Sequence, residues 1–154
     1  MHGHCHHKAI MHLDAELALM QQMGLDYEVL DSGCCGLSGS FGFEHDKYAI
    51  SMAAGERVLL PRVREAEEGT LIITNGFSCR EQIAHATPRR ALHIAEVLRM
   101  AMDSAQDVIN GPPEQAIEWR RAQAQRKANQ RTASIAGLVV MAGLLAWGVS
   151  RQRR

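Results

Sequence analysis

Two adjacent cysteines inside a run of glycine and serine, DSGCCGLSGSFG from Asp31 to Gly42, constrain this chain more than any other stretch. Glycine-rich backbone is costly to order. A chain that places two of its only four thiols there needs something that holds them in position. The remaining thiols, Cys5 and Cys79, lie far off in sequence, each on a loop that meets a helix or follows a strand. Structural zinc sites usually take their ligands as pairs spaced by a few residues. An adjacent pair must diverge from one short piece of backbone, which suits several metal atoms or bridging sulfurs better than one tetrahedral ion. Gly33, Gly36, Gly39 and Gly42 permit positive φ and let main-chain N–H groups face an anionic centre. An iron–sulfur centre is the stronger expectation, with Cys5, Cys34, Cys35 and Cys79 as its ligands. Disulfides are the weaker one: the opening MHGHCHHKAI lacks the apolar core of an export signal, so a reducing compartment is expected.

The pattern along the chain predicts an α/β domain. AIMHLDAELALMQQMG predicts a helix with Ile10, Leu13, Leu17 and Met20 on one side, closed by Gly24. Tyr27 to Leu30 predicts a short buried strand running into the cysteine doublet. Residues 44–68 turn helical again, with Tyr48, Met52, Val58, Leu59 and Val63 as core candidates and Pro61 as a bend or break. TLIITNGFSC is the clearest strand. A helix from Cys79 to about Ala86 follows it, and PRRALHIAEVLRMAMDSA predicts another. Strands alternating with helices imply a parallel sheet whose loops gather at one edge, where ligands bind. Two strands make a poor sheet, so the sheet is expected to be incomplete or to borrow strands.

The formal net charge of zero conceals a split. Residues 1–119 hold 9 Lys/Arg against 17 Asp/Glu, whereas residues 120–154 hold 8 Lys/Arg and no acid. An acidic body does not suit nucleic acid, and none is expected as a partner. NGPP, Asn110 to Pro113, marks a boundary between residues 1–109 and a basic helical linker, 110–131. Residues 132–150, TASIAGLVVMAGLLAWGVS, carry no charge and are long enough to cross a bilayer as a transmembrane helix, with Trp147 as interfacial anchor and a basic tail at 151–154. Ala133 and Gly137 form a weak small-residue pair. Five basic residues precede the span and three follow it, which places the N-terminal domain on the cytoplasmic side of the inner membrane, the linker against anionic lipid.

HGHCHHKA, DSGCCGLSGSFGFE, GERVLLPRV and TNGFSCREQIAHATPRRALHIAEVL occur in that order over residues 2–100. Together they resemble the cysteine-rich, CCG-type domain of iron–sulfur oxidoreductases, above all the iron–sulfur part of FAD-linked D-lactate and related 2-hydroxyacid dehydrogenases. Similar domains belong to the iron–sulfur components of glycerol-3-phosphate and glycolate dehydrogenases and to heterodisulfide reductase. The resemblance implies a cluster of 4Fe–4S type on Cys5, Cys34, Cys35 and Cys79. Heterodisulfide reductase relatives carry a CxxC at the last position; here Gly76 takes its first place, leaving four ligands. The chain has one of the two halves usual in the family and begins at the loop that a strand would precede.

The function implied is electron transfer from a flavin dehydrogenase partner, carrying FAD, and a ferredoxin-like iron–sulfur chain or domain toward a membrane acceptor such as quinone. Substrate chemistry would belong to the partner. One alternative is a thiol–disulfide reductase in the heterodisulfide reductase manner; another is a zinc module serving assembly alone. His2, His4, His6 and His7 could form a second zinc or nickel site, but a role in orienting the loop suits them better. His93 reads as a core histidine; Arg80 and Gln82 could hold cluster charge or a partner, and a solvated helix start explains them as well.

Overall fold

The computed structural model describes the backbone of residues 1–102 and 113–152, with side chains to Gly137 and at positions 139 and 141. The expected boundary residues Asn110 to Pro112 and the expected anchor Trp147 lie outside this set. The described chain is predominantly helical: α1 (Cys5–Ile10), α2 (Asp14–Gln22), a 3-10 turn (Phe41–Phe43), α3 (Tyr48–Glu56), α4 (Leu59–Glu65), α5 (Phe77–Ala86), α6 (Ile94–Met102) and α7 (Glu114–Gln152). It forms two compact units, Met1–Ala116 and Ile117–Arg154.

The expected α/β architecture with a parallel sheet is not found. Among the described residues the β structure consists of two isolated parallel bridges, His2 with Leu30 and Ile73 with Leu92. The reason is local. Each extended segment is left almost at once: His2 is followed by α1 at Cys5, Leu30 by the glycine loop, Ile73 by α5 at Phe77 and Leu92 by α6 at Ile94. No segment supplies the run of paired residues that a ladder needs. The four segments nevertheless lie side by side. The His2 N–H donates to the Ile73 carbonyl at 2.9 Å, the Leu30 N–H to Met1 at 2.9 Å, the Leu92 N–H to Ile72 at 2.8 Å and the Thr74 N–H to Leu92 at 2.9 Å.

The single helix expected over residues 9–24 is two helices. His12 takes φ 61° between α1 and α2, in the left-handed region, and this rotates Ile10 out to 63% exposure while Leu13 and Met20 stay buried. Pro61 sits in the first turn of α4, where its missing N–H costs little, so the interruption falls upstream at Val58. Leu59, Leu60 and Val63 then enter a core with Leu37, Ile83, Ala91, Cys35 and Cys79. The helix expected from Pro88 starts only at Ile94. His93 lies at its start: Glu96 accepts the His93 N–H at 2.9 Å, and the His93 ring accepts the Ala95 N–H at 3.1 Å, a reciprocal capping arrangement.

The expected transmembrane helix is likewise corrected: among the described residues, no helix is long and apolar enough to cross a membrane. The uncharged run is one continuous helix with the basic run before it. The described side chains of α7 therefore include Arg120, Arg121, Arg126, Lys127 and Arg131 beside the exposed Ile135, Val139 and Met141.

His2, 2% exposed, anchors the N-terminal segment through Nδ1 at 2.5 Å from the Ser32 hydroxyl, and its Nε2 has no hydrogen-bond partner among the described residues. Burial, then the N-terminal ammonium, His4 and Lys8, lowers its pKa to about 4 from 6.5. For a base held neutral, the stabilisation is complete above the unfolded value and is lost as pH falls from about 6.5 toward 4. Urea unfolding should show roughly 3 kcal/mol of loss across that window, and His2→Asn should flatten the profile there.

Candidate metal centre

Each thiol lies a few residues past one of the paired positions, so the side-by-side segments deliver their loops to the same end. Cys5 opens α1, Cys34 and Cys35 follow Leu30, and Cys79 lies in the first turn of α5, beyond Ile73. The thiols meet in series. Cys5 interacts with Cys34, Cys34 with Cys35, and Cys35 with Cys79. All four are free; Cys5 and Cys34 are exposed, while Cys35 and Cys79 are 3% and 1% exposed. The centre would thus have a wet edge and a dry edge.

The doublet loop is fixed from behind. Gly36 takes φ 95°, and a Cβ there would lie 2.1 Å from the Ser51 carbonyl oxygen of α3. Its N–H donates to the Cys34 sulfur at 3.4 Å. Gln82, fully buried on α5, donates to the Ser51 carbonyl at 3.4 Å and to its hydroxyl at 3.3 Å. The Gly39 N–H donates to the Ser78 hydroxyl at 3.1 Å, tying the loop to the turn that carries Cys79. Gly76, in an ordinary conformation, is needed for room: a Cβ would lie 2.6 Å from His4 Cδ2 and 2.9 Å from the Cys79 sulfur. A cysteine at this position has no space in the present packing.

The electrostatics divide the buried pair. The Cys35 thiol is lowered to about 6, first by its hydrogen bond with Cys79 and also by the N–H groups of Leu37 and Ser38, against the effect of burial. The Cys79 thiol is pushed up by that same bond with Cys35, by burial and by the Cys35 charge, with the Thr74 side chain acting in the other direction. Burial also raises Cys34, followed by the charges of Cys5 and Cys35, while the Gly36 N–H opposes them. Cys35 and Cys79 therefore titrate as one coupled pair, with the surrounding N–H groups favouring the charge on Cys35.

Among the described residues, no group of three or more His, Cys, Asp or Glu side chains is arranged to hold a metal ion. The all-sulfur donor set interacts pairwise in series, with backbone N–H groups turned toward the doublet sulfurs, which is the donor chemistry of a thiolate-held centre without its closed geometry. Two of the histidines are otherwise engaged, His2 with Ser32 and His7 with Glu16 at 3.0 Å, while His4 packs beside Gly76 and His6 is exposed.

Arg80 and Gln82 correct the reading of a solvated helix start. Arg80 donates to the Thr74 and Asn75 carbonyls at 3.3 and 3.0 Å, bracing the loop before Cys79. Asn75 bridges elements by donating to Glu16 at 3.1 Å and accepting the Ile94 N–H at 3.1 Å. Ser51 and Asn75 escaped notice in the sequence because no motif marks them. Only a polar residue interrupting an apolar helix face, as Gln82 does beside Ile83, could have signalled the support.

No family model matches the chain, and no solved structure matches it. Among curated proteins it is 34% identical over 104 residues to the C subunit of the anaerobic glycerol-3-phosphate dehydrogenase of Escherichia coli, in strains K12 and O157:H7. That match covers 66% of this chain and 25% of the relative. It is also 30% identical over 77 residues to the D-2-hydroxyglutarate dehydrogenase of Pseudomonas putida, covering 50% of this chain and 7% of the relative. The chain therefore spans about a quarter of the length of the first relative and a small part of the second. What it shares with both is a dehydrogenase-associated segment.

Proposed function

We propose that this chain is a CCG-type iron–sulfur electron-transfer part of a flavin-linked dehydrogenase system acting on a 2-hydroxyacid or glycerol 3-phosphate, with Cys5, Cys34, Cys35 and Cys79 holding a cluster of 4Fe–4S type. The observation that carries it is the meeting of four thiols from three separate stretches of sequence. The similarity to two dehydrogenase-associated proteins supports it. In this reading residues 1–109 form the iron–sulfur domain. The flavin and the substrate chemistry belong to a partner chain, and the electrons leave toward a membrane acceptor such as quinone. The basic run from Arg120 to Arg131 would bring the domain to anionic lipid on the cytoplasmic face of the inner membrane.

The bound cluster would supply one-electron transfer. The chain's own contribution is ligation, hydrogen bonding and partial exclusion of water. The hydrogen bond with Cys79 and the N–H groups of Leu37 and Ser38 favour the thiolate form of Cys35, the form that ligates. The N–H groups of Gly36, Leu37 and Ser38 point at the sulfurs of the doublet, where such donors favour the more negative oxidation state of a centre. Cys5 and Cys34 leave one edge open to an electron partner, while Cys35 and Cys79 shield the other within the core.

Anaerobic purification followed by an absorption spectrum and by iron and sulfide analysis tests the reading. A brown protein with about four iron and four labile sulfide per chain is expected. Cys35→Ser and Cys79→Ser should each lose most of the iron. A colourless protein with stoichiometric zinc, or cysteine variants that keep their iron, would overturn it.

A further inference from the structure

The two exposed thiols, Cys5 and Cys34, are brought together by contacts that do not involve sulfur. His2 pairs with Leu30 in a parallel bridge, and its ring lies 2.5 Å from the Ser32 hydroxyl. Farther along, Lys8 Nζ reaches the Asp31 carboxylate at 3.5 Å. Residues 2–8 and 30–32 are thereby fastened side by side. Cys5 lies between the fastened positions of the first stretch, and Cys34 lies just past those of the second. Their thiols interact. Gly33, directly before Cys34, takes φ 64° with nothing within 4 Å of where a Cβ would be, so the backbone there has room to turn toward Cys5.

The other neighbouring pairs are poor candidates for a bond. Cys34 and Cys35 are adjacent in sequence, with Cα atoms about 3.8 Å apart, short of the roughly 4.4–6.8 Å that a disulfide spans. Cys35 and Cys79 are 3% and 1% exposed, so a dissolved oxidant does not reach either sulfur in the folded chain. Cys5 and Cys34 alone combine proximity, separation in sequence and access to solvent.

We infer that Cys5 and Cys34 are a reversible modification site, closing to a disulfide by exchange with a low-molecular-weight disulfide such as oxidised glutathione. One protein thiolate attacks a sulfur of the oxidant, whose S–S bond breaks, and one glutathione leaves. The second protein thiolate then displaces the other glutathione from the mixed disulfide. Two protein thiols are oxidised to one disulfide, and one glutathione disulfide is reduced to two thiols, which take up the two protons released. Transient, redox-sensing bonds are the kind that a reducing compartment admits. A second consequence rests on the ligand assignment made above. The bond withdraws two of the four donors, so an oxidised chain is not loaded with metal until it is reduced.

The full chain, reduced and freed of metal with a chelator, is incubated with glutathione disulfide, digested with trypsin without reduction and read by mass spectrometry. Two of the four free thiols should be lost, with the peptide ending at Lys8 joined to residues 9–47 and no glutathione retained. Cys5→Ser and Cys34→Ser, both at exposed positions, should each give a lasting glutathione adduct on the other exposed thiol in place of the link. Four unreacted thiols, a lasting adduct on the unaltered chain, a link from 9–47 to the Cys79 peptide 65–80, or a link that survives Cys34→Ser would overturn the inference. Iron uptake before and after dithiothreitol separates the two claims. A linked chain that takes up the full complement of iron would overturn the ligand role of Cys5 and Cys34 while leaving the disulfide in place.

Discussion

Gly36→Ala should destabilise the cysteine domain by about 2–5 kcal/mol, enough to leave much of it unfolded at moderate urea. Two costs add. An alanine at φ 95° is strained by about 1–2 kcal/mol. Its Cβ would also lie 2.1 Å from the carbonyl oxygen and 2.9 Å from the carbonyl carbon of Ser51, and 3.2 Å from the Ala54 Cβ. These are the backbone and a short side chain of α3, so nothing flexible can swing aside, and overpacking of this kind costs about 1–3 kcal/mol. Any relief would pull the loop from α3 and Cys35 from Cys79. Gly33→Ala is the control. Gly33 also has positive φ, 64°, but a Cβ there meets nothing within 4 Å, so only the conformational cost applies. Equal urea midpoints for the two variants would show that contact with Ser51 is not what restricts position 36.

The second large effect belongs to a buried ion pair. Arg89 and Glu114 are 8% and 3% exposed, and Glu114 accepts from Arg89 Nε at 2.6 Å and Nη2 at 3.3 Å, and from the Arg90 N–H at 3.4 Å. The guanidinium also donates to the carbonyls of Glu67 at 3.2 Å and Thr70 at 2.6 Å. One side chain thus ties the turn after α4, the segment before Leu92 and the first turn of α7. Glu114→Ala leaves that cation desolvated with only carbonyl partners, and breaking a buried pair from one side costs about 3–5 kcal/mol. Removing both charges with Arg89→Met and Glu114→Leu should cost much less. Urea unfolding of the two singles and the double separates these outcomes. Additive losses would mean that the two charges stabilise the fold independently.

The elements that were legible in the sequence are those set by short-range chemistry. Met20, Leu59 and Val63 followed from helical spacing, and the loops bearing Cys34, Cys35 and Cys79 followed from where glycine, serine and β-branched residues fall. The thiols interact pairwise, Cys5 with Cys34, Cys34 with Cys35 and Cys35 with Cys79, because each of their loops leaves the same end of the extended segments. Their role as ligands remains the proposal made above. What was not legible depends on contacts distant in sequence. No local pattern marks Leu92 as extended, since its conformation comes from Ile73 and from Arg89 fastened to residues 67–70. The β-branched run at residues 70–74 suggested a strand, but with α5 starting at Phe77 it contributes too few paired residues for a sheet. The uncharged run near the C-terminus suggested a membrane span by composition, yet helix α7 is continuous with strongly basic sequence.

The position of His2 between Leu30 and Ile73 has a consequence for synthesis on the ribosome. Its neighbours come from parts of the chain made much later, and Ile73 is itself held by Leu92. The segment around His2 must therefore wait, with the glycine loop still slack, until residues well beyond α5 have left the exit tunnel. Closure of this kind is slow and exposes thiols meanwhile. A nascent chain stalled before residue 92 should accordingly keep Cys5, Cys34, Cys35 and Cys79 open to thiol-modifying reagents, whereas in the complete chain Cys35 and Cys79 are buried.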